Sequence, residues 1–118
     1  MSVHRRIQTS DVNGVTVVSF VDRKILDAAS IQELGDELFN LVEKDGVKSL
    51  LLDFGNVEFL SSAALNKLII LDKKVKMQNG QLKLCNLRPE IQEVFVITRL
   101  NQLFEIKDAV DDALKSFA

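Results

Sequence analysis

Apolar positions along the chain recur first at every second residue, then at every third and fourth, and the two rhythms alternate to the end. RRIQTSDV and VTVVSFV, the segments on either side of Asn13-Gly14, predict an opening β-hairpin, because that pair suits a tight turn with positive φ. DRKILDAAS reads as a crossing loop. Ile31, Leu34, Leu38 and Leu41 then predict a helix with one buried stripe, opened by the capping-box pattern Ser30-Ile31-Gln32-Glu33 and ended at Asp45-Gly46. Lys48 to Phe54 predicts a third strand, and its near-continuous apolar run suits the middle of a sheet, covered on both faces. The turn formers of DFGN follow, and Val57, Phe59 and Leu60 return the chain to the core.

A second helix is predicted from Ser62, with Ala64, Leu68, Leu71 and Val75 inward and Asn66, Lys67, Lys73, Lys74 and Gln78 outward. Asn79-Gly80 closes it. Gln81 to Asn86 is a fourth strand, and Pro89 begins a third helix with Ile91, Val94 and Phe95 inward and Thr98 at the end of that stripe. Leu103 to Ile106 makes a short fifth strand, and Asp108 is placed to cap a last helix carrying Val110, Leu114 and Phe117. This order predicts an α/β fold: a mixed, mostly parallel sheet with an N-terminal β-hairpin at its edge, about four helices packed on it, and right-handed crossovers. In such sheets functional groups gather at the carboxyl ends of the strands, which directs attention to the loop from Asp53 to Ser62.

Composition narrows the function classes. A chain of 118 residues with 47% hydrophobic content is expected to form one domain over residues 1–118. Fifteen Lys and Arg against 17 Asp and Glu, no Trp and no Tyr leave neither a basic field nor a stacking platform for nucleic acid. No stretch resembles a signal peptide or reaches the length of a membrane span, so no membrane insertion and a cytoplasmic location are expected. The single Cys85 reads as a small buried thiol, and the single His4 as a surface residue on an edge strand. These two cannot build a metal site or a Ser/His/Asp or Cys/His arrangement. With no GxGxxG and no Walker-type loop, no cofactor and no catalytic residue are expected.

What remains is the serine pair Ser61-Ser62 at a strand-to-helix join. The first N–H groups of a helix lack intrahelical partners and lie at the positive end of its dipole, so a hydroxyl can cap there and a phosphate would be accepted. From the residues alone, the pair reads first as a cap. Asp53 reads first as an acceptor in its own turn and Glu58 as a solvated charge, with partner binding second for both. The lysines of the second helix read as its solvated face.

Phe59, Leu60, Ser61, Ser62, Ala63, Ala64 and Leu65, after an apolar strand ending in Asp53, resemble the motif F-hydrophobic-D-S-S/T-G-L of the STAS domains. Their best-described small members are bacterial anti-sigma-factor antagonists. Aligned on Phe59 and Leu65, the motif's Asp falls on Ser61, its phosphorylated Ser on Ser62, its second hydroxyl on Ala63 and its Gly on Ala64. The resemblance implies the STAS fold, phosphorylation of Ser62 with Ser61 as the alternative, and a partner surface formed by Asp53, Glu58, Ser61, Ser62 and Asn66. It also implies an anti-sigma factor with GHKL-type serine kinase activity as partner, and a PP2C-type phosphatase to reverse the modification. Ala63 and Ala64 leave open a constitutive STAS adaptor in a stress-sensing assembly or beside a lipid-transport ATPase. A small flavodoxin-like enzyme is the third alternative. Nothing in the sequence fixes an oligomeric state.

Overall fold

The structure, a computed structural model, describes residues 5–117; His4 lies outside them. Strands β1 (Ile7–Val12) and β2 (Val15–Phe20) form the expected hairpin, paired from Val12 opposite Val15 to Ile7 opposite Phe20. Its turn residues Asn13 and Gly14 have φ of 53° and 84°, the left-handed region that Gly and Asn enter at least cost. A two-residue strand β3 (Lys24–Ile25), helix α1 (Ala28–Glu43) and strand β4 (Ser49–Asp53) follow. The chain continues through a second short strand β5 (Phe59–Leu60), helix α2 (Ser62–Met77), β6 (Gln81–Cys85) and α3 (Pro89–Ile97). A 3₁₀ turn (Leu100–Gln102), β7 (Glu105–Lys107) and α4 (Val110–Lys115) complete it.

The main sheet has the order β1-β2-β4-β6-β7, antiparallel between β1 and β2 and parallel elsewhere. β4 sits at its centre, and Leu50, Leu51 and Leu52 are each at 0% exposure. Leu50 and Leu52 join the larger core with Leu38 of α1, Leu68 and Leu71 of α2 and Phe95 of α3. Leu51 points the other way, to Val15, Cys85 and Ala113 under α4. Two covered faces account for the uninterrupted apolar run. Lys83 fastens α4 to its face: its ammonium donates to the Ser116 carbonyl at 2.6 Å, pairs with Glu105 at 2.8 Å and lies 4.9 Å from the Phe117 ring centre.

Several local expectations are corrected. α1 starts at Ala28 and is capped by Asp27, whose carboxylate accepts the Ser30 N–H at 2.9 Å. Glu33 does not close a capping box; it pairs with Arg6 at 2.6 Å, holding the helix against the first strand. The crossing loop contains β3, which pairs in parallel with β5. Phe59 does not return to the core and is 51% exposed, because β5 is an outlying ribbon rather than a strand of the main sheet. Thr98 is exposed, its hydroxyl donating to the Val94 carbonyl at 2.7 Å. The last strand starts two residues later than expected, after the 3₁₀ turn. Ala109, not Asp108, is the N-cap residue of α4, with no side-chain cap bond.

Candidate functional site

The loop after β4 is built to hold the start of α2 at the carboxyl end of the sheet. Asp53 accepts the Gly55 N–H at 2.9 Å and the Asn86 side-chain amide at 3.2 Å, joining the ends of β4 and β6. Gly55 is there because space is lacking: a Cβ at this position would stand 2.6 Å from Asn86 Nδ2. Phe54 anchors the loop inward, with its ring edge-on to Phe95 at 6.2 Å. On the outer side, Asn56 donates to the Phe20 carbonyl at 2.9 Å. The β3–β5 ribbon closes the arrangement, with Glu58 N–H on the Arg23 carbonyl at 2.8 Å and Ser61 N–H on the Ile25 carbonyl at 3.0 Å.

The two serines have separate surroundings. Ser61 is the N-cap, in extended backbone at φ −78° and ψ 164°, and its Oγ accepts the Ala64 N–H at 3.3 Å. Ser and Asp serve about equally well at an N-cap, so Ser61 keeps the capping capacity of the motif's Asp without its charge. Ser62 is the first helical residue and is exposed, and among the described residues no hydrogen bond engages its hydroxyl. No acidic side chain lies in the first turn of α2, so nothing on the helix itself offsets the positive end of the dipole. Ala64, in the place of the motif's Gly, is 1% exposed and packs into the core.

Of the five residues expected at a partner surface, Ser62 and Asn66 are exposed and lie one helical turn apart on α2. Ser61 is partly buried beside them. Glu58 is engaged by Arg23 at 2.6 Å, and Asp53 is committed to its turn, so neither carboxylate is free at the helix start. Sequence reasoning missed the apolar members of this end of the molecule: Val21, Leu26 and Phe59 are 46%, 55% and 51% exposed. The β3–β5 register sets Lys24 beside Phe59, with its ammonium 5.6 Å from the ring centre, and brings Leu26 level with Ser61. No local pattern could have signalled this, because the pairing of two-residue strands leaves no period in a sequence. Cys85, at the end of β6, is fully buried as expected, and burial followed by the nearby Asp53 charge pushes its thiol pKa up to about 12.

Among the described residues no group of three or more His, Cys, Asp or Glu is placed to hold a metal ion, and no helix is long and apolar enough to cross a membrane.

Comparison with known proteins agrees with this geometry. A family model described as STAS domain matches residues 6–113. A relative named anti-sigma factor antagonist BtrV, from Bordetella bronchiseptica, is 30% identical over 93 residues, 79% of each chain. The solved structure of an anti-sigma-factor antagonist (STAS) domain protein from Planctomyces limnophilus superposes with a TM-score of 0.83 at 24% identity, covering 95% of this chain and 97% of the other. The Bacillus cell fate determinant SpoIIAA, solved in its phosphorylated form, shares the fold at a TM-score of 0.71 and 17% identity, covering 92% and 96%. The hairpin-edged parallel sheet, the serine-capped second helix and the family match over residues 6–113 lead to one conclusion: the chain belongs to the STAS domain family.

Proposed function

We propose that this chain is a partner-switching regulator of the anti-sigma-factor-antagonist kind, acting in the cytoplasm. The observation that carries the reading is the division of labour at α2: Ser61 is spent as the cap, while the Ser62 hydroxyl stands exposed and unengaged at the first helical position. In its unmodified form the domain binds an anti-sigma factor with GHKL-type kinase activity through Ser62, Asn66 and the neighbouring Val21, Leu26 and Phe59. The partner transfers phosphate from ATP to Ser62, the complex separates, and a PP2C-type phosphatase restores the first state. The 30% identity with BtrV supports the class of partner, and the phosphorylated state of SpoIIAA supports the class of switch. The chemistry belongs to the partners; this chain supplies the acceptor and the surface.

The test is direct. Incubation with the cognate kinase and ATP adds one phosphate to wild type and to most of a Ser61→Ala preparation, and none to Ser62→Ala. Phosphate on Ser61 alone would move the acceptor by one residue. Binding of the kinase with no transfer to either serine would leave a constitutive adaptor in place of the switch.

A further inference from the structure

The two faces of the main sheet are covered to different depths. α1, α2 and α3 share one core with Leu50 and Leu52, and α1 and α2 bury seven and six residues respectively. The other face carries α4, of which Ala113 alone is fully buried, while Val110 and Leu114 are only partly covered, like Phe117 beyond its end. Among the described residues, the cluster that Ala113 forms with Val15, Leu51 and Cys85 has no buried member in common with the larger core. Packing beside the end of α4 is also incomplete. A cavity of about 390 Å³ lies between the helix and the hairpin, with Val12, Val15, Leu114 and Phe117 in its walls.

What holds α4 down is polar and sits at one end. The three N–H groups of the Lys83 ammonium have three acceptors: the Ser116 carbonyl at 2.6 Å, the Ser116 hydroxyl at 2.9 Å and Glu105 at 2.8 Å. Two of the three belong to the C-cap of α4, and the Phe117 ring centre lies 4.9 Å away. The Lys83 side chain is 9% exposed, so these bonds are made where water competes little. At its other end α4 starts from Ala109 without a side-chain cap, and Asp108 and Ala109, which join it to β7, are both exposed. A small apolar contact, one buried cation and an exposed connection characterise an element that opens at a lower free energy than the core.

We propose that α4 is a strap, fastened by Lys83, which lifts from the sheet about Asp108-Ala109 while the rest of the domain stays folded. Closed, it covers Cys85 and the apolar strip of Val15, Val17 and Leu51. Open, it presents that strip and the thiol together on the face opposite α1, α2 and α3. The larger core is not breached, because Leu50 and Leu52 point into it from the other face. A molecule that binds the open form shifts the balance by its preference for that form, which makes the strap a control point separate from Ser62.

Cys85 reports the motion in the full chain. An aromatic disulfide at about pH 8 forms a mixed disulfide with the exposed thiolate and releases an aromatic thiolate, whose absorbance gives the rate. Native protein is labelled slowly, through opening, at a rate that low urea hardly changes. The opening free energy obtained matches that from exchange of the Ala113 and Ser116 amides, which are bonded within α4. The Leu68 and Leu71 amides of α2 exchange at a higher free energy, with the urea slope of global unfolding. Lys83→Met keeps the stem, removes the ammonium and speeds labelling by about tenfold or more. Phe117→Ala, a change in the strap that leaves the sheet intact, speeds it as well. Labelling with the free energy and urea slope of the α2 amides would overturn the proposal, since Cys85 would then be reached only when the whole domain unfolds. Labelling unchanged in both variants would overturn it too, and neither result bears on Ser62.

Discussion

Replacing Ser62 by Asp separates two ways in which a phosphate could act on this domain. The position is exposed at the first turn of a 16-residue helix with no acidic residue near its start. One negative charge there is favoured by about 0.3–1 kcal/mol. For domains near this size, 1 kcal/mol moves Tm by roughly 2–8 °C, so Ser62→Asp should melt at the wild-type temperature or up to a few degrees above it. Binding responds in the opposite sense. Val21, Leu26 and Phe59 give this end of the molecule an apolar character, and leaving an uncompensated charge in a desolvated contact costs about 2–5 kcal/mol. A single carboxylate only partly imitates a phosphate, yet a loss of at least about tenfold, roughly 1.4 kcal/mol, is expected. Ser62→Ala should bind like wild type and lose switching. Calorimetric titration of the three proteins against the kinase partner, with thermal melts, reads both quantities. Equal affinities would refute exclusion at Ser62, and a Tm lowered by more than about 5 °C would refute the dipole argument.

Other expectations follow from the frame around the site. Gly55→Ala, which sets a methyl 2.6 Å from Asn86 Nδ2, should break the Asp53–Asn86 brace and cost about 1–3 kcal/mol in urea unfolding. The Cys85 thiol, held near 12 by burial, should resist a thiol-disulfide reagent at about pH 8 in the native protein and react at once when unfolded. Asp27 should contribute pH-dependent stability: the Ser30 N–H lowers its carboxyl below the ordinary 3.8, so the contribution is full above that value and disappears as pH falls through the lower native one. Asp27→Ala should therefore differ from wild type near neutral pH, and the difference should shrink in acid denaturation profiles as the wild-type Asp27 carboxyl protonates. A gap that stayed constant into strong acid would show that the cap acts through geometry alone.

Legibility of the fold tracked how local each determinant was. The Asn13-Gly14 turn, the α1 stripe at Ile31, Leu34, Leu38 and Leu41, and the start of α2 at Ser61-Ser62 each depend on residues within a turn or two, and each is found where the pattern put it. Element order was enough to place Asp53 to Ser62 at the carboxyl end of the sheet. The β3–β5 ribbon was not legible, because Lys24 and Phe59 are far apart in sequence and their strands are too short to alternate. Phe59 was turned the wrong way for the same reason. Buried charges escaped too. Asp72, 3% exposed on the inner side of α2, sits one turn after Leu68 and is neutralised by Lys76 at 2.8 Å, while Lys83 is covered by a helix more than twenty residues later. An ionic side chain looks the same in sequence whether its counter-charge is water or a distant element.

The departures at Ser61 and Ala64 bear on how such a site can change without losing its fold. An Asp at the Ser61 position would do two things at once, capping the helix and setting a carboxylate beside Ser62. Ser61 retains the first, with the Ala64 N–H at 3.3 Å, and gives up the second. Without that carboxylate the helix start keeps its full positive field, which favours a phosphate on Ser62 more than a neighbouring negative charge would allow. Ala64 for Gly is accommodated because its methyl is buried in the core, where it adds contact and removes the cost of about 1 kcal/mol that Gly carries inside a helix. Ala in place of Gly at position 64 stiffens the platform on which Ser62 stands. On the proposed reading, a helix start this rigid would report phosphorylation of Ser62 through what docks against it and not by unfolding.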